Sequence, residues 1–326
     1  MVNIFIKTPS RLHLGFYNFN RENIAYGGIG LAIDNPSIEL IISKNNRLEI
    51  VNETNIELND VVEKIVNTLE ISGFKLIVKS AIPRHIGLGS TTQLLLAISY
   101  GLSKLYGLKY SVRELAVKLG RGYVSGIGIS VFEKGGLIID SGRRLDNNIL
   151  REVETIHDLP LPIARYSLPR NWFFILITPR VSKRISDEFE KQFLEKPLKI
   201  DDNLQCKLYA TLLLELIPSV IRRDIVGFGK ALSKIQYITG EYFSKYQYGL
   251  FCCRESEEAV NIMLSKGVYG VGQSSWGPTV YGLVDNYSRA LKILRETLNE
   301  LERRGIDVEY SFISRPLNRG FRVKYF

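Results

Sequence analysis

Two closely spaced glycines and three hydroxyl residues stand together in the stretch IPRHIGLGSTTQ, which begins at Ile82. An apolar helix is predicted to start near Ser90, so loop amides and the first N–H groups of that helix would converge on one point. Gly87 and Gly89 would let an anion approach the backbone there, and the hydroxyls could donate hydrogen bonds or hold Mg²⁺. The stretch therefore predicts a phosphate or diphosphate site. A turn between strand and helix, with Ser90 as its N-cap, is the alternative interpretation.

Polar residues and glycines also follow other predicted strands. TPSRLHLGFYNFN sets Ser10, Arg11 and His13 after the first strand, and YGGIGLAID comes soon after it. GRGYVSGIGISVFEKGGLIIDSG, residues 120–142, is a third such stretch. An arginine in these stretches suits an anionic substrate because its planar fork matches phosphate and carboxylate. One site assembled from all of these stretches is the simplest interpretation.

A fourth stretch, GVGQSSWGPTVYGLV, places a tryptophan in a polar loop ahead of an apolar strand. Gln273, Ser274 and Ser275 precede Trp276 there. A tryptophan in such a loop packs on a ligand or caps a hydrophobic core. We assign this loop to the same site as the other three stretches.

The elements that must position these residues indicate an α+β fold. The first half is predicted to contain strands near Asn3–Lys7, Ser37–Ser43, Leu48–Val51, Phe74–Ser80 and Gly136–Asp140, and helices near Asn59–Ile71 and Ser90–Tyr106. Ser111 and Glu114 form a predicted capping box ahead of a further helix.

The second half begins with the predicted strand WFFILIT at Trp172. Helices are predicted near Lys183–Leu194, Leu204–Leu216, Arg223–Lys245, Ser256–Lys266 and Tyr287–Arg303, and strands near Tyr269, Thr279–Val284 and Val308–Ile313. A stretch rich in proline near Asp158–Arg170 separates the halves, so we predict domains at residues 1–160 and 161–326.

Composition limits the class of protein. The 326 residues carry a net charge of +9, which favours an anionic partner, but the basic residues are dispersed and no nucleic-acid-binding motif is visible. No apolar run reaches the roughly 20 residues of a membrane span. Cys206, Cys252 and Cys253 have no metal-ligand spacing and leave one thiol unpaired, as in a reducing compartment. We expect a cytoplasmic protein with neither a membrane nor a nucleic-acid partner.

The four stretches together resemble a known family. PRHIGLGSTTQ is similar to the phosphate-binding motif of the GHMP kinases, which include galactokinase, homoserine kinase and mevalonate kinase, and TPSRLHLG resembles their first motif. The order and spacing cover nearly the whole chain. PSRLHLG, GLGSTTQ, GRGYVSGIGISVFEKGGLIIDSG and GQSSWGPTVYG resemble one branch more closely, the β-ribofuranosylaminobenzene 5′-phosphate synthases (beta-RFAP synthases) of archaeal methanopterin biosynthesis.

This resemblance implies an N-terminal ribosomal-protein-like α+β half and a C-terminal α+β half with the substrates between them. GVGQSSWGPTVYG occupies the place of the family's last motif, so we predict that this loop faces Gly87–Thr92 across the cleft. It implies a pentosyltransferase that combines phosphoribosyl pyrophosphate with 4-aminobenzoate or 4-hydroxybenzoate. The products are a β-C-riboside 5′-phosphate, carbon dioxide and pyrophosphate. Mg²⁺ as cofactor and a homodimer are expected from the same resemblance.

The candidate site residues form four groups. The candidates for catalysis are Arg11, His13, His85 and Arg121. The candidates for binding the pyrophosphate are Gly87, Leu88, Gly89, Ser90, Thr91, Thr92 and Gln93. The candidates for binding the rest of the substrates are Ser10, Gly28, Ser125, Gly126, Arg180, Gln273, Ser274, Ser275 and Trp276. The candidate metal ligands are Ser90, Thr91 and Glu133, and Asp140 is considered beside them.

One departure from the kinases concerns position 128. Members with a catalytic aspartate tend to place it two residues after a Ser-Gly pair, and here Gly128 stands two residues after Ser125-Gly126. Phosphoryl transfer to an alcohol profits from a carboxylate that accepts the proton, so its absence argues against a kinase. An ATP-dependent small-molecule kinase of the same fold stays open as an alternative, and a non-catalytic RNA-binding protein is a further one.

Overall fold

A long β-hairpin forms the centre of the first sheet. In the computed structural model, which describes residues 2–181 and 193–326, strand β1 spans Asn3–Arg21 and strand β2 spans Ile24–Lys44. Glu22 and Asn23 connect them with φ angles of 50° and 57°. Left-handed residues at both positions of a two-residue turn match the right-handed twist of the paired strands.

Strand β1 runs fourteen residues past the predicted end at Lys7, so the prediction of a loop holding Ser10, Arg11 and His13 is wrong. The register with β2 shifts between Thr8 and Ser10 and twice more further along the strand. Each bulge reverses the alternation of inward and outward side chains. The period-two pattern therefore breaks in the sequence although the strand continues. The YGGIGLAID stretch likewise lies inside β2 and not at a strand end.

The first sheet contains nine strands in the described residues, with the order β13-β1-β2-β4-β3 along its main path. Its other strands are β3 (Glu49–Asn52), β4 (Phe74–Ser80), β5 (Leu137–Asp140), β6 (Arg143–Asp146), β7 (Ile149–Leu150), β8 (Pro162–Tyr166) and β13 (Arg322–Tyr325). Strands β5 and β6 pair with the first part of β2, β8 pairs with β5, and β7 pairs with β6. Sequence reasoning missed β6, β7, β8 and β13, because they are short and several of their side chains are exposed and charged.

Four helices cover this sheet. They are α1 (Asn59–Leu69), α2 (Ser90–Leu105), α3 (Val112–Lys118) and α4 (Ile127–Lys134). Helix α2 is buried on most sides because it contacts β1 and β2 on one side and the other three helices on the others. The predicted capping box of Ser111 and Glu114 is confirmed at the start of α3.

The second sheet has the order β10-β11-β9-β12 and is antiparallel throughout. Its strands are β9 (Phe173–Pro179), β10 (Gly270–Gln273), β11 (Val280–Val284) and β12 (Val308–Ser314). Helices α8 (Arg254–Ser265) and α9 (Tyr287–Arg303) pack on it around a separate apolar core. The bounds predicted for α9 are confirmed.

A helical stretch between residues 202 and 243 connects the sheets. It comprises α5 (Asp202–Ala210), a π-helical turn (Thr211–Leu216), α6 (Ile217–Arg222) and α7 (Ile225–Phe243). Helix α7 starts at the N-cap Asp224, whose carboxylate accepts hydrogen bonds from two backbone N–H groups. It packs against both β10 and β1 and so fixes the second sheet relative to the first.

The helical stretch from Asp202 to Arg222 is long and apolar enough to cross a membrane. Its inward residues Leu208, Leu212 and Leu216 are buried, and the π-helical turn packs on α7. The core helix of a globular fold satisfies the same criteria. Leu213 and Leu214 on its outer side are 59% and 74% exposed.

The predicted α+β class is confirmed. Strands β8 and β13 come from the predicted second half but pair in the first sheet, and the boundary at residue 160 stays a prediction. The predicted helix Lys183–Leu194 lies almost wholly outside the described residues.

Candidate active site

A cavity of about 460 Å³ lies where the first sheet, the start of α2 and the loop after β10 meet. Six consecutive residues, 120–125, form one wall, and α7 forms the opposite one. The predicted site residues that line it are Arg11, His13, His85, Gly87, Gly89, Ser90, Thr91, Thr92, Arg121, Ser125, Gln273, Ser275 and Trp276. Residues from all four predicted stretches therefore meet at one place.

The glycine stretch ends at the N-terminus of α2, as predicted. Gly89 is the N-cap with φ of 77°, and Gly87 has φ of 81°, a region that L side chains rarely adopt. Arg11 packs on this loop: its Nη1 donates to the Gly87 carbonyl at 2.9 Å, and its Cγ lies 2.8 Å from where a Cβ on Gly89 would stand. Both glycines therefore permit a close approach that a side chain would block.

The loop after β10 touches the glycine stretch directly, which confirms that the two loops face each other. The Ser274 hydroxyl donates to the Gly87 carbonyl at 2.6 Å and accepts from the His13 backbone N–H at 3.0 Å. A Cβ on Gly87 would lie only 2.2 Å from the Ser274 carbonyl oxygen. Ser274 thus joins β1, the α2 N-terminus and the second sheet.

The loop 120–126 closes the cavity from the side of α4. Arg121 Nε donates to Thr92 Oγ1 at 3.1 Å, which ties this loop to the first turn of α2. Gly128 lies in the first turn of α4 and lines the cavity, and a Cβ there would stand 3.3 Å from the Thr92 methyl carbon. The position where kinases of this type place an aspartate therefore faces the cavity without a carboxylate.

His13 and Ser125 form a hydrogen-bonded pair inside the cavity. His13 Nε2 lies 3.2 Å from Ser125 Oγ, and His13 Nδ1 accepts from the Gly15 backbone N–H at 3.4 Å. Burial, with the Arg11 charge beside it, holds the pKa of His13 well below its ordinary value. The ring is therefore neutral at pH 7, with its proton on Nε2, and donates to Ser125.

That assignment directs the Ser125 hydroxyl proton. Ser125 Oγ accepts from His13 Nε2 and also from the Ile127 backbone N–H at 3.2 Å. A hydroxyl oxygen has two lone pairs and one proton, so its accepting capacity is used by these two donors. The remaining proton is available to an acceptor in the cavity.

An aromatic group lines the cavity beside these polar residues. Trp276 is half-buried and lies edge-to-face on Phe243, with ring centroids 4.8 Å apart, and Phe16 lies 6.0 Å from Phe243. Such a wall accommodates a planar ring. The interpretation of Trp276 as a ligand-packing residue has a suitable geometry, since its ring is at the cavity surface.

The charge of the cavity lining is positive. Arg11, Lys64 and Arg121 line it, and no Asp or Glu does so among residues 2–181 and 193–326. No group of three or more metal-binding side chains occurs in that described part either. The hydroxyls of Ser90 and Thr91 remain as possible ligands for a Mg²⁺ ion held mainly by substrate oxygens.

The two predicted carboxylate ligands lie elsewhere. Glu133 is paired with Arg113 at 2.9 Å and does not line the cavity. Asp140 is fully buried, and its oxygens accept from the backbone N–H groups of Gly28, Gly126 and Gly142 at 2.8–3.1 Å. Burial raises the pKa of Asp140 to about 7 although these donors oppose the shift. The geometry therefore gives no support to metal binding by either carboxylate.

The remaining predicted residues support the wall or lie apart from it. Leu88, Gln93, Gly126, Gly28 and Ser274 stand behind the lining, and Gln93 donates to the Gly128 carbonyl at 2.8 Å. Ser10 is buried and donates to the Pro36 carbonyl, because the strand continues where a loop was predicted. Arg180 is exposed where β9 ends. The geometry does not place Ser10 or Arg180 at the cavity.

Sequence reasoning missed the contribution of α7. Gln236, Thr239 and Phe243 line the cavity from this helix, and Lys64 does so from α1. The available signal was a polar pair, Gln236 and Thr239, at a spacing of three within an otherwise apolar helical face. No local pattern distinguished Lys64 from other exposed lysines.

Comparisons with known proteins match most of the chain. Two protein-family models match it: GHMP kinases N terminal domain over residues 57–136 and GHMP kinases C terminal over residues 216–302. A beta-ribofuranosylphenol 5'-phosphate synthase of Methanothermobacter thermautotrophicus is 32% identical over 306 residues, covering 87% of this chain and 90% of the relative. The synthase of the same name from Archaeoglobus fulgidus is 31% identical, covering 98% and 99%.

The solved structures agree on the fold. A homoserine kinase from Cytophaga hutchinsonii superposes with a TM-score of 0.71 at 17% identity, covering 99% of this chain and 97% of that one. The GHMP kinase-like fold inferred from the sequence motifs is therefore confirmed.

Proposed function

Because the chain belongs to the family of beta-ribofuranosylphenol 5'-phosphate synthases, we propose that it transfers the phosphoribosyl group of phosphoribosyl pyrophosphate to a para-substituted benzoate. Carbon dioxide and pyrophosphate leave, and a β-C-riboside 5′-phosphate remains. The name of the relatives specifies a phenol as the ring of the product. Of the two benzoates, 4-hydroxybenzoate gives a phenol, so we propose it as the acceptor.

The proposal rests on the match between the proton balance of this reaction and the residues that line the cavity. The ring carbon bearing the carboxylate attacks the ribose C1 as the bond from C1 to the pyrophosphate oxygen breaks. The bond between ring and carboxylate then breaks, and its electron pair restores the aromatic ring as carbon dioxide leaves. No net proton has to be removed. A cavity with Gly128 at the usual base position and a neutral His13 suits this requirement.

The pyrophosphate fits the end of the cavity at the α2 N-terminus. Ser90, Thr91 and Thr92 present N–H and hydroxyl donors there, and Arg11 and Arg121 lie beside them. Donors fixed in place before the reaction stabilise the charge that develops on the leaving group. The same charges stabilise an anionic substrate of several phosphate groups at a helix N-terminus.

The benzoate ring fits against Phe16, Phe243 and Trp276. The Ser125 proton, directed by His13, provides a hydrogen bond for an anionic oxygen of the substrate. Positioning the ring carbon at C1 is the principal task, since fixed orientation accounts for a large part of such rate accelerations.

We also propose Mg²⁺ as cofactor, brought in by the pyrophosphate oxygens and contacting Ser90 or Thr91. The ion would neutralise charge on the leaving group. The hydroxyls at the cavity surface support this proposal, and the absence of lining carboxylates in the described residues favours binding through the substrate.

A homodimer in the cytoplasm completes the proposal. Leu213 and Leu214 in the π-helical turn and Ile221 in α6 are exposed apolar side chains, and a second copy would cover them. The three cysteines are free thiols, as expected in a reducing compartment. Light scattering of the purified protein tests the dimer, and Leu214→Glu should shift it to monomer.

The kinase alternative is less well supported, because general-base help is missing at Gly128. Such help contributes about 10²–10⁴-fold to the rate where it exists.

One experiment separates the phosphoribosyl transferase from the kinase. The protein is incubated with phosphoribosyl pyrophosphate and each benzoate, and in parallel with ATP and mevalonate or homoserine. We expect pyrophosphate release with 4-hydroxybenzoate and no ADP. ADP formation at about 1 s⁻¹, an ordinary enzyme rate, without pyrophosphate release would establish the kinase instead.

A further inference from the structure

The wall made by residues 120–125 has little regular structure of its own. It is part of the loop 120–126 between α3 and α4, which belongs to neither helix nor strand. Gly120 and Gly122 adopt φ of 63° and 88°. Yet it carries Arg121 and Ser125, two of the side chains that the proposed reaction uses. Its conformation must therefore be held by contacts from outside the loop.

We propose that Asp140 in β5 and Arg143 in β6, the two strands that follow α4, are positioning residues that hold this loop in its productive geometry. The inference rests on the proposed function for its consequence in catalysis. Neither side chain lines the cavity in the described residues. Both bind the main chain of the loop. Arg143 donates to its carbonyl groups, and Asp140 accepts from one of its N–H groups.

Arg143 holds the first part of the loop. Its side chain is 2% exposed, and its Nη1 donates to the carbonyl groups of Gly122 at 3.2 Å and Tyr123 at 2.6 Å. Its Nη2 donates to the Arg151 carbonyl at 2.6 Å, and the guanidinium lies 5.8 Å from the Tyr123 ring centroid. These three carbonyl groups are reached from two separate guanidinium nitrogens, and the single nitrogen of a lysine cannot occupy both positions.

Asp140 holds the end of the loop. One carboxyl oxygen accepts from the Gly126 N–H at 3.1 Å, and the other accepts from Gly28 in β2 at 2.8 Å. The carboxyl group thus links the residue after Ser125 to the strand that pairs with His13. This link helps set the 3.2 Å separation between His13 and Ser125.

The types of the two residues, arginine and aspartate, indicate that they position the loop and do not serve mainly to stabilise the fold. Burying a guanidinium and a carboxyl group is costly, and apolar residues of similar volume often give equal or greater stability. Here the buried guanidinium and the buried carboxyl group satisfy the loop backbone at two separate points. Charge-assisted hydrogen bonds are shorter and more directional than neutral ones, so they restrict the loop to one conformation.

The test compares Arg143→Lys with two controls on the same strand. Arg144→Lys changes the exposed neighbour in the same way, and Leu145→Ala lowers stability without removing a hydrogen bond to the loop. The measurements are kcat and KM for each substrate at pH 8, the Tm, and amide hydrogen exchange of the peptide containing residues 120–126. We expect Arg143→Lys to lower kcat/KM by about 10-fold or more, since small misplacements of catalytic groups have such effects.

Amide hydrogen exchange in the loop should accelerate selectively in Arg143→Lys. Leu145→Ala should lower the Tm by an equal or larger amount but keep the wild-type kcat/KM. Equal kinetics for these two variants at equal stability would mean that Arg143 is structural only. Should Arg143→Lys not fold, Asp140→Asn with Asp146→Asn as its control provides the same comparison. Inactive wild-type protein would refute the proposed function, whereas the exchange measurement would still decide whether the loop is held.

Discussion

The two loops at the cavity, 87–92 and 120–126, are held in place by different means. The first is fixed by close backbone contacts, since Gly87 meets the Ser274 carbonyl and Gly89 meets the Arg11 side chain. The second is held by the buried side chains of Arg143 and Asp140. A glycine contact leaves a recognisable sequence motif. A side-chain support twenty residues away leaves none, although it determines the geometry equally well.

The largest expected effect comes from adding a methyl group at the first loop. Gly87→Ala would place a Cβ 2.2 Å from the Ser274 carbonyl oxygen and force the two loops apart. We expect kcat/KM for phosphoribosyl pyrophosphate to fall about 100-fold or more, measured by pyrophosphate release. Gly107→Ala is the matched control, because Gly107 has a similar φ of 73° but no atom within 4 Å of its added Cβ. Equal losses in both variants would attribute the effect to backbone strain alone.

A carboxylate placed between the two loops should have a smaller effect. Gly128→Asp adds a negative charge beside Thr92, where the pyrophosphate is proposed to bind. Its Cβ would stand 3.3 Å from the Thr92 methyl carbon, a tight contact that a small shift of the Thr92 side chain relieves. We expect KM for phosphoribosyl pyrophosphate to rise about 10-fold through charge repulsion, with no gain of ATP-dependent activity. Gly128→Ala, without the charge, should stay near wild type. An aspartate variant that forms ADP would show that only the missing base separates this protein from its kinase neighbours.

The aromatic side of the cavity should respond separately from either loop. Trp276→Leu removes the ring packed on Phe243 and should raise KM for the benzoate about 10-fold. KM for phosphoribosyl pyrophosphate should stay within about twofold. Steady-state kinetics with each substrate varied in turn make this comparison. A rise in both KM values would mean that the tryptophan supports the glycine loop instead of the benzoate ring.

The last prediction concerns the pH dependence of stability and not the kinetics. Burial raises the pKa of Asp140 from 3.8 to about 7, so the folded state binds this proton more tightly than the unfolded state between those values. The contribution of Asp140 to the free energy of unfolding should therefore fall as pH rises from 4 to 7, by about 1.4 kcal/mol for each pKa unit. Urea unfolding of wild type and Asp140→Asn across this range measures the difference. Parallel curves would contradict the raised pKa.

Sequence reasoning identified most of the fold because its elements carry local signals. The period of apolar residues predicted α2 and α9 within a residue or so, and the capping box placed α3. It failed along β1, where bulges interrupt the alternation of buried side chains. It also missed β13, a charged edge strand of only four residues, which is too short to show a clear alternation of apolar and polar side chains.

The candidate site was predicted in part, for the same physical reason. The glycine stretch and the loop at Trp276 were recognisable because close approach and a positive φ demand particular residue types. The face of α7 and the supports at Arg143 were not, because distant segments meet there only in the folded chain. Ser10 was assigned to the site with Arg11 and His13 of the same stretch, but its buried side chain donates to the Pro36 carbonyl instead.

The central claim is that carbon dioxide leaves in place of a proton, so that the cavity needs no carboxylate base. The most direct measurement uses 4-hydroxybenzoate labelled with ¹³C at the carboxyl group or at the adjoining ring carbon, together with phosphoribosyl pyrophosphate. With the carboxyl label, the account predicts one labelled carbon dioxide for each pyrophosphate. With the ring label, it predicts a product whose NMR spectrum shows the labelled ring carbon bonded to the ribose C1. Pyrophosphate release with the carboxyl label retained in the product would contradict it.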